Sequence, residues 1–446
     1  MRRLLQRLIP PLSDIYNTRD DYAKGRLISL ISSLMTSFYN VFITGIFYTG
    51  FLSMYGISIT GVGIVSLIPY LSGFFAPLSP FVLKKLKRRK AWMLGSKILF
   101  YGLYIVATTL MPLFVTDPDA RLVWFIILLF VAYSEYALFS SGITTWFYEF
   151  YPKDNRLRTD YIYYNQFFSS VLSSLVLLLS SFLTDAVAGS PNQHVIILAM
   201  RYLAFVLVII EVTVQAFAKD FSCVESDGLR LKDIFVEPVK NRKFMMCMLL
   251  MFIWNFMANF NNGTWNYHLL NHMQYPYSLI NGMSVLYTVV LALTSKLWRK
   301  LINRFGWVKT FGLCNLVWLP TEIMYFMMNY STRFLYVPLA VWQNIISVGF
   351  NLSYANILYM NLPRKNSTAF ISFYNVGANL CALAGMALGT WIVSLHPDTP
   401  FTVGGFEVYT VQFTCLMRAL FHAIIAFMCV AGWRKFTSDE DAARLG

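Results

Sequence analysis

The chain is short of charge. Asp, Glu, Lys and Arg make up only 13% of its 446 residues, against roughly 25% in a soluble domain. So little charge cannot cover a chain of this length with a solvated surface, which excludes a soluble globular fold. Cysteine is sparse as well. Cys223, Cys247, Cys314, Cys381, Cys415 and Cys429 show no C-x-x-C spacing, and five of them lie in apolar runs. They read as small buried hydrophobes, and neither a disulfide framework nor a thiolate metal site is expected. The five histidines are scattered, and no HExxH, GxSxG or GxxxxGK(S/T) pattern occurs. No catalytic residue, metal ligand or cofactor is assigned, and neither a hydrolase nor a nucleotide-driven pump is expected. An apolar signal-peptide core is missing too. The first 26 residues are basic and interrupted by Pro10-Pro11, so no cleavable signal peptide is expected.

Apolar residues are abundant, at 57% with a mean hydropathy of +0.54, and they fall into long segments. A membrane-spanning helix needs roughly 20 mostly apolar residues. Twelve such spans are predicted, near 27–53, 60–83, 92–114, 122–147, 164–186, 195–217, 244–269, 278–297, 308–329, 334–358, 369–394 and 411–433. Between the sixth and seventh lies the longest polar stretch of the interior, Lys219–Lys243. Its Leu229, Leu231, Ile234 and Phe235 suggest a short amphipathic helix on the membrane surface. The net charge of +14 could signal nucleic acid, but its placement argues otherwise. Lys and Arg gather in the N-terminal segment, in the Lys84–Lys90 loop, in the 148–163 loop, in the linker, after span eight, at Arg364-Lys365 and in the tail. Arg121 and Arg333 alone fall on the opposite side, and Lys97, Arg201 and Arg418 fall within spans. That asymmetry marks the cytoplasmic face and puts both termini inside. No nucleic-acid partner is expected.

The two sides of the linker echo each other. Pro152-Lys-Asp-Asn155 opens a turn running to Tyr164-Asn165, and Pro363-Arg-Lys-Asn366 opens one running to Tyr374-Asn375. Gly45 precedes Phe51-Leu52 by the same spacing at which Gly263 precedes Leu269-Leu270. Lys84–Trp92 and Arg299–Lys309 each follow the second span of their half. Repetition of this kind points to two homologous halves.

Twelve spans in two repeats, a central linker and basic loops after spans two and eight resemble the major facilitator superfamily over nearly the whole chain. The family's loop signature, Gly-x-x-x-Asp-Arg-x-Gly-Arg-Arg, is partly kept. Asn303-Arg304-Phe305-Gly306 matches at Arg304 and Gly306, with Asn in place of Asp, and Lys84-Lys85-Leu86-Lys87-Arg88-Arg89 keeps only the basic end. The family's Arg-based motif of span four is absent, as is the Gly/Pro-rich antiporter motif of span five. The resemblance implies an all-α polytopic membrane protein of two pseudo-symmetric six-helix bundles. The parts would be a cytoplasmic segment 1–26, a bundle 27–218, a linker 219–243, a second bundle 244–433 and a tail 434–446. It also implies that spans one, four, seven and ten line a central midplane cavity. Lys84, Arg88, Arg89, Asn303, Arg304 and Gly306 would then belong to gating loops.

Polar residues on those spans are the candidate binding set. Asn255, Asn259, Asn262 and Asn266 repeat at i, i+4, i+7 and i+11, one face of a continuous helix, and Trp254 and Trp265 flank them. Ser33, Ser37, Asn40 and Thr44 repeat that spacing in span one beside Tyr39 and Tyr48. Gln343, Ser347 and Asn351 do so in span ten beside Asn344. Amides in hydrocarbon need partners, so these stripes face either a watery cavity or one another as interhelical links. Glu135, in span four, is read as facing the cavity and binding a proton or a cationic group, with a structural hydrogen-bond role as the alternative. Trp146 and Trp342 also lie on the presumed cavity spans. Lys97, Arg201, Glu211, Glu322, Arg418 and His422 lie on spans that the family places peripherally, and are read as structural pairs or snorkelling residues. The expected function is a secondary active or facilitative transporter moving a small organic solute by alternating access. Uptake of a polar neutral or zwitterionic solute such as a sugar is favoured, with a coupled proton or sodium ion as a further partner. Drug efflux is the alternative, and a non-transporting sensor or a lipid-handling protein is the alternative of another class. A monomer in a bacterial cytoplasmic membrane is expected. The sequon Asn329-Tyr-Ser331 lies too near a span end to argue for glycosylation.

Overall fold

The computed structural model describes residues 15–16, 20–152, 155–220, 231–361, 367–403 and 406–436. Cys223, Leu229, Lys153-Asp154 and the Pro363–Asn366 turn lie outside the described residues, as do most of the N-terminal segment and tail. Among the described residues, ten helices are long and apolar enough to cross a membrane, and the chain is an integral membrane protein. It divides into two compact units. One comprises residues 1–57 and 71–225, the other 58–70 and 226–446. The division falls inside the 219–243 linker, but residues 58–70 group with the C-terminal half. The reason is local. Ile59 packs with Val393 and Val411, and the Tyr70 hydroxyl donates to Asn259 Oδ1 at 2.9 Å.

In the first unit, α1 (Asp21–Ile43) is capped by Asp20, which accepts from the Ala23 amide. It breaks at Thr44 and Gly45 (φ 59°) before α2 (Gly45–Met54). Next in the chain comes α3 (Ile59–Ser72), nearly all of which belongs to the second unit, and then, within the first, a 3-10 turn over Gly73–Leu78 and α4 (Ser79–Lys85). Then α5 (Arg89–Tyr101) passes through a π-turn at Gly102–Ala107 into α6 (Thr108–Phe114). Pro118 and the Asp117 cap start α7 (Pro118–Ala137), which stops before α8 (Ser140–Tyr148). Two long helices, α9 (Asn155–Ala186) and α10 (Asn192–Ala216), complete the unit. Its interior holds two buried charged groups. Glu211 accepts from Lys97 at 2.6 Å, Tyr39 and Gln215 at 2.9 Å, Thr36 at 3.0 Å, and Ser32. Arg201 donates to Thr108, Thr109 and the Tyr104 carbonyl, and stands 3.7 Å over the Phe51 ring. Glu211 is thus paired inside the bundle, where an unpaired ion would be costly, whereas Arg201 is met by neutral oxygens and rings, with one Nη enclosed and unpartnered.

The second unit begins with α11 (Leu231–Lys240), whose Phe235 meets Phe373 edge-on. Asn241 caps α12 (Arg242–Ala258), which is followed after a break by α13 (Thr264–Tyr267) and a π-turn at His268–His272. The 51-residue α14 (Tyr277–Met327) would be on the order of 75 Å long if straight. That is more than twice the ~30 Å hydrocarbon core. It bends at Gly306 (φ 75°, ψ 170°), between the segments predicted as spans eight and nine. After α15 (Tyr336–Met360) and α16 (Ser367–Ser394), a small antiparallel hairpin pairs β1 (Phe401–Val403) with β2 (Phe406–Val408). The chain then forms α17 (Thr410–Ala431) and α18 (Trp433–Phe436). The apolar core gathers Phe244, Met248, Phe311, Phe350 and Ile425. On α16, an added Cβ at Gly385 or Gly389 would lie 1.9 or 1.7 Å from the carbonyls of Phe256 and Phe260, so these glycines let two backbones touch. Large apolar side chains such as Phe114, Leu293 and Phe427 remain 74–84% exposed, as a lipid-facing surface requires.

Candidate functional site

The site begins at the end of α12. The run Asn259-Phe-Asn-Asn-Gly263 is a poor helix, because asparagine side chains compete for backbone hydrogen bonds and glycine is too flexible. Asn259 leaves the helical region (φ −96°, ψ 2°) and Gly263 turns to φ 82°, ψ −52°. The expectation of four asparagines on one continuous face is therefore corrected, because the helix on which that spacing relied is interrupted. Asn255 donates to the Met251 carbonyl and to the Tyr354 hydroxyl, both at 2.8 Å, and Tyr354 meets Tyr374 at 2.8 Å. Asn259 and Asn262 gather at Tyr70. Beyond the break, Trp265 and Asn266 face another region.

That region is a cavity of about 300 Å³ within the second unit. Amide, hydroxyl and aromatic groups line it: Asn261, Asn266, Gln343, Asn344, Ser284, Ser347, Trp265, Tyr325 and Tyr336. Gln343 accepts from Tyr325 at 3.1 Å, and Asn344 donates to the Met283 carbonyl at 2.8 Å. Arg418 also lines the cavity. One of its Nη atoms donates to Asn261 Oδ1 at 3.0 Å, and the other stands 3.0 Å from Glu322 Oε1. Glu322 is fully buried, with His422 Nε2 at 3.8 Å. The pair leaves the cavity electrically neutral, while Asn261 Nδ2 and Arg418 Nε are buried donors with no partner.

Of the sequence-derived candidates, Trp265, Asn266, Gln343 and Asn344 come together here. Trp254 does not. It packs in the apolar core, 4.1 Å from the Phe350 ring centroid. Asn351 is exposed and donates to Tyr287 at 3.0 Å. Tyr39 is directed to Glu211 inside the first unit, and Asn40 is half-buried on the same helix. Glu135 sits in the last turn of α7, half-buried beside Ser96, with Oε2 enclosed and unpartnered. Trp146 donates to the Lys219 carbonyl, and Trp342 is 47% exposed, so neither takes the cavity position expected of it. Of the loop residues, Gly306 forms the bend of α14, Asn303 and Arg304 are exposed, and Lys84 lies in the last turn of α4. Arg88 is exposed, and Arg89 opens α5.

Arg418 and Glu322 pair with each other, and Arg418 brings the pair to the cavity instead of standing apart from it. Asn261 was not singled out in the sequence. One signal was available: Arg418 and His422 stand at i, i+4 in an apolar helix, and Asn315 and Glu322 at i, i+7 in another. A second polar group lies at the end of the π-turn. There His272 meets His268 at 3.0 Å and Asp398 at 3.1 Å, and stacks 3.9 Å from Tyr409. Burial pushes the His272 imidazole below its usual range, and Asp398 partly opposes that.

No protein-family model matches the chain, and no curated protein matches it in sequence. Solved structures do match. A mutant of the nucleoside transporter NupG aligns at 13% identity over 92% of this chain and 99% of its own, with a TM-score of 0.66. A bacterial metal transporter aligns at 12% identity over 94% and 99%, with a TM-score of 0.64. A D-xylose–proton symporter aligns at 11% identity over 91% and 96%, with a TM-score of 0.60. The chain has the fold of major facilitator transporters.

Proposed function

We propose that the protein is a twelve-span secondary transporter, working by alternating access, that carries a small polar solute through the second unit's cavity. The observation that carries this reading is the cavity's lining. Amides and hydroxyls converge with Trp265, Tyr325 and Tyr336 around about 300 Å³, the low end of the range for small-molecule sites. Arg418 is balanced by Glu322, so the site suits a neutral or zwitterionic solute over a hydrophobic cation. The transport fold supports the same reading, as do the structural neighbours that are a nucleoside transporter and a D-xylose–proton symporter. Thermal-shift screening of purified protein against sugars, amino acids, small peptides and hydrophobic cations tests it. A bound solute raises stability by RT ln(1 + [L]/Kd). Stabilisation by a polar solute, lost in Gln343→Leu and Asn266→Leu, is the expected result. Stabilisation by hydrophobic cations alone would replace this reading with drug efflux.

A further inference from the structure

Behind Arg418, which lines the cavity, lies a buried chain of groups whose protonation follows from their hydrogen bonds. Asn315 Nδ2 donates to the Phe311 carbonyl at 2.8 Å. Its Oδ1 therefore faces His422 Nδ1, 2.8 Å away. An amide oxygen only accepts, so Nδ1 carries hydrogen. In a neutral imidazole the lone pair then sits on Nε2, which points toward Glu322 Oε1 at 3.8 Å. A lone pair facing a carboxylate is repulsive, and one proton between them turns the contact into an attraction. Arg418 competes for the same oxygen at 3.0 Å. Tyr325 and Cys415 are the other titratable groups facing Glu322, and each is neutral in its ordinary state.

Arg418 also lines the cavity. Its Nε and Asn261 Nδ2 are buried donors without partners, and Asn261 is only 5% exposed. Two vacant donors beside a cation match the two oxygens of a carboxylate. With Arg418 on Glu322 and His422 neutral, the cluster carries no net charge. A solute carboxylate adds one negative charge, and one proton on the Glu322–His422 pair cancels it. A buried site inside a membrane protein stays neutral only if the two arrive together.

We propose that Glu322 and His422 form a proton-binding site, coupled through Arg418 to a carboxylate on the transported solute. The solute's carboxylate takes Arg418 from Glu322, and Glu322 with His422 takes one proton from the same compartment. No bond to carbon forms or breaks. This rests on the transport reading above and selects its zwitterionic, carboxylate-bearing class.

The test uses purified full-length protein with acetate as the probe and acetamide as its neutral counterpart. Thermal stabilisation is followed at about pH 6 and about pH 8, the range over which imidazole titrates. Acetate, and not acetamide, is expected to stabilise the protein, with an apparent affinity about tenfold higher at the lower pH, because coupling between two ligands is reciprocal. Glu322→Gln leaves Arg418 unpaired, so it should keep acetate binding and lose its pH dependence; His422→Gln, which keeps Glu322 on Arg418, should weaken acetate binding at about pH 6 to its level at about pH 8; Glu322→Asp should restore the pH dependence. His422→Gln keeps the ion pair intact, so it serves where Glu322→Gln does not fold. An equal response to acetate at both pH values overturns the coupling, as does a pH dependence that survives in both variants. Absence of any acetate effect overturns the carboxylate assignment. If a neutral solute then stabilises the wild type and not Gln343→Leu, the transport reading stands without it.

Discussion

Gly263 is the hinge on which the cavity's lining depends, and replacing it by alanine gives a worked test. At φ 82°, ψ −52° an L-residue is strained, and Ala would cost about 1–2 kcal/mol from backbone sterics alone. The new Cβ would also lie 2.3 Å from Ser66 Oγ and 3.2 Å from Ser66 Cβ. Ser66 can swing its hydroxyl away only by giving up its bond to the Val62 carbonyl at 2.8 Å, a loss of about 1 kcal/mol. The total is about 2–3 kcal/mol against the observed conformation. Removing the hydroxyl in Ser66→Ala should recover about 1 kcal/mol of this when combined with Gly263→Ala and none of it alone. Thermal unfolding of the wild type, both single variants and the double variant measures the coupling. Ligand stabilisation in the same samples reports whether Trp265 and Asn266 still face the cavity. A Gly263→Ala protein with unchanged stability and unchanged ligand response would refute the claim that this turn positions the site.

Three further outcomes follow from the packing. Glu211→Ala should lose about 3–5 kcal/mol, because it strands buried Lys97 without its partner; Glu211→Ala with Lys97→Met should regain most of that in a denaturation series. Gly389→Val should destabilise by about 1–3 kcal/mol or more, because the Phe260 carbonyl cannot rotate away from the new side chain, and a thermal melt of the variant checks this. His272 is held neutral in the folded protein below its ordinary value, so the folded state binds fewer protons than the unfolded one. Stability should fall as pH drops below about 6.5, and His272→Gln should flatten that part of the melting-temperature profile.

The fold was legible because it rests on patterns of short range. A span needs only a run of apolar residues, and the division between halves needs only the polar Lys219–Lys243 stretch. The linker helix was legible in the same way, and it is present as Leu231–Lys240. The site was legible in part. Trp265, Asn266, Gln343 and Asn344 emerged because amides are conspicuous in apolar helices. The asparagine stripe misled because it assumed an unbroken helix, although Asn259-Phe-Asn-Asn-Gly263 held the warning in its own composition.

The charged end of the cavity was hidden for a different reason. Arg418 lies 157 residues from Asn261, and His422 lies 107 from Asn315. Only the packing of α17 against α14 and against the end of α12 brings them to one place. Read span by span, each ion in a membrane segment asks for a partner, and a partner found explains it structurally. Glu322 and Arg418 satisfy that demand. What distinguishes them from Lys97 and Glu211 is what surrounds the pair. Glu211 is saturated by five donors in the first unit's interior. Glu322 meets no well-directed donor, and Arg418 keeps a free Nε beside a cavity. A saturated ion pair serves packing, whereas an unsaturated one next to space can exchange its partner. Unmet hydrogen-bonding capacity beside open space, more than the presence of charge, therefore marks the site; Arg201 also has an unpartnered Nη, but it is enclosed in the first unit's interior.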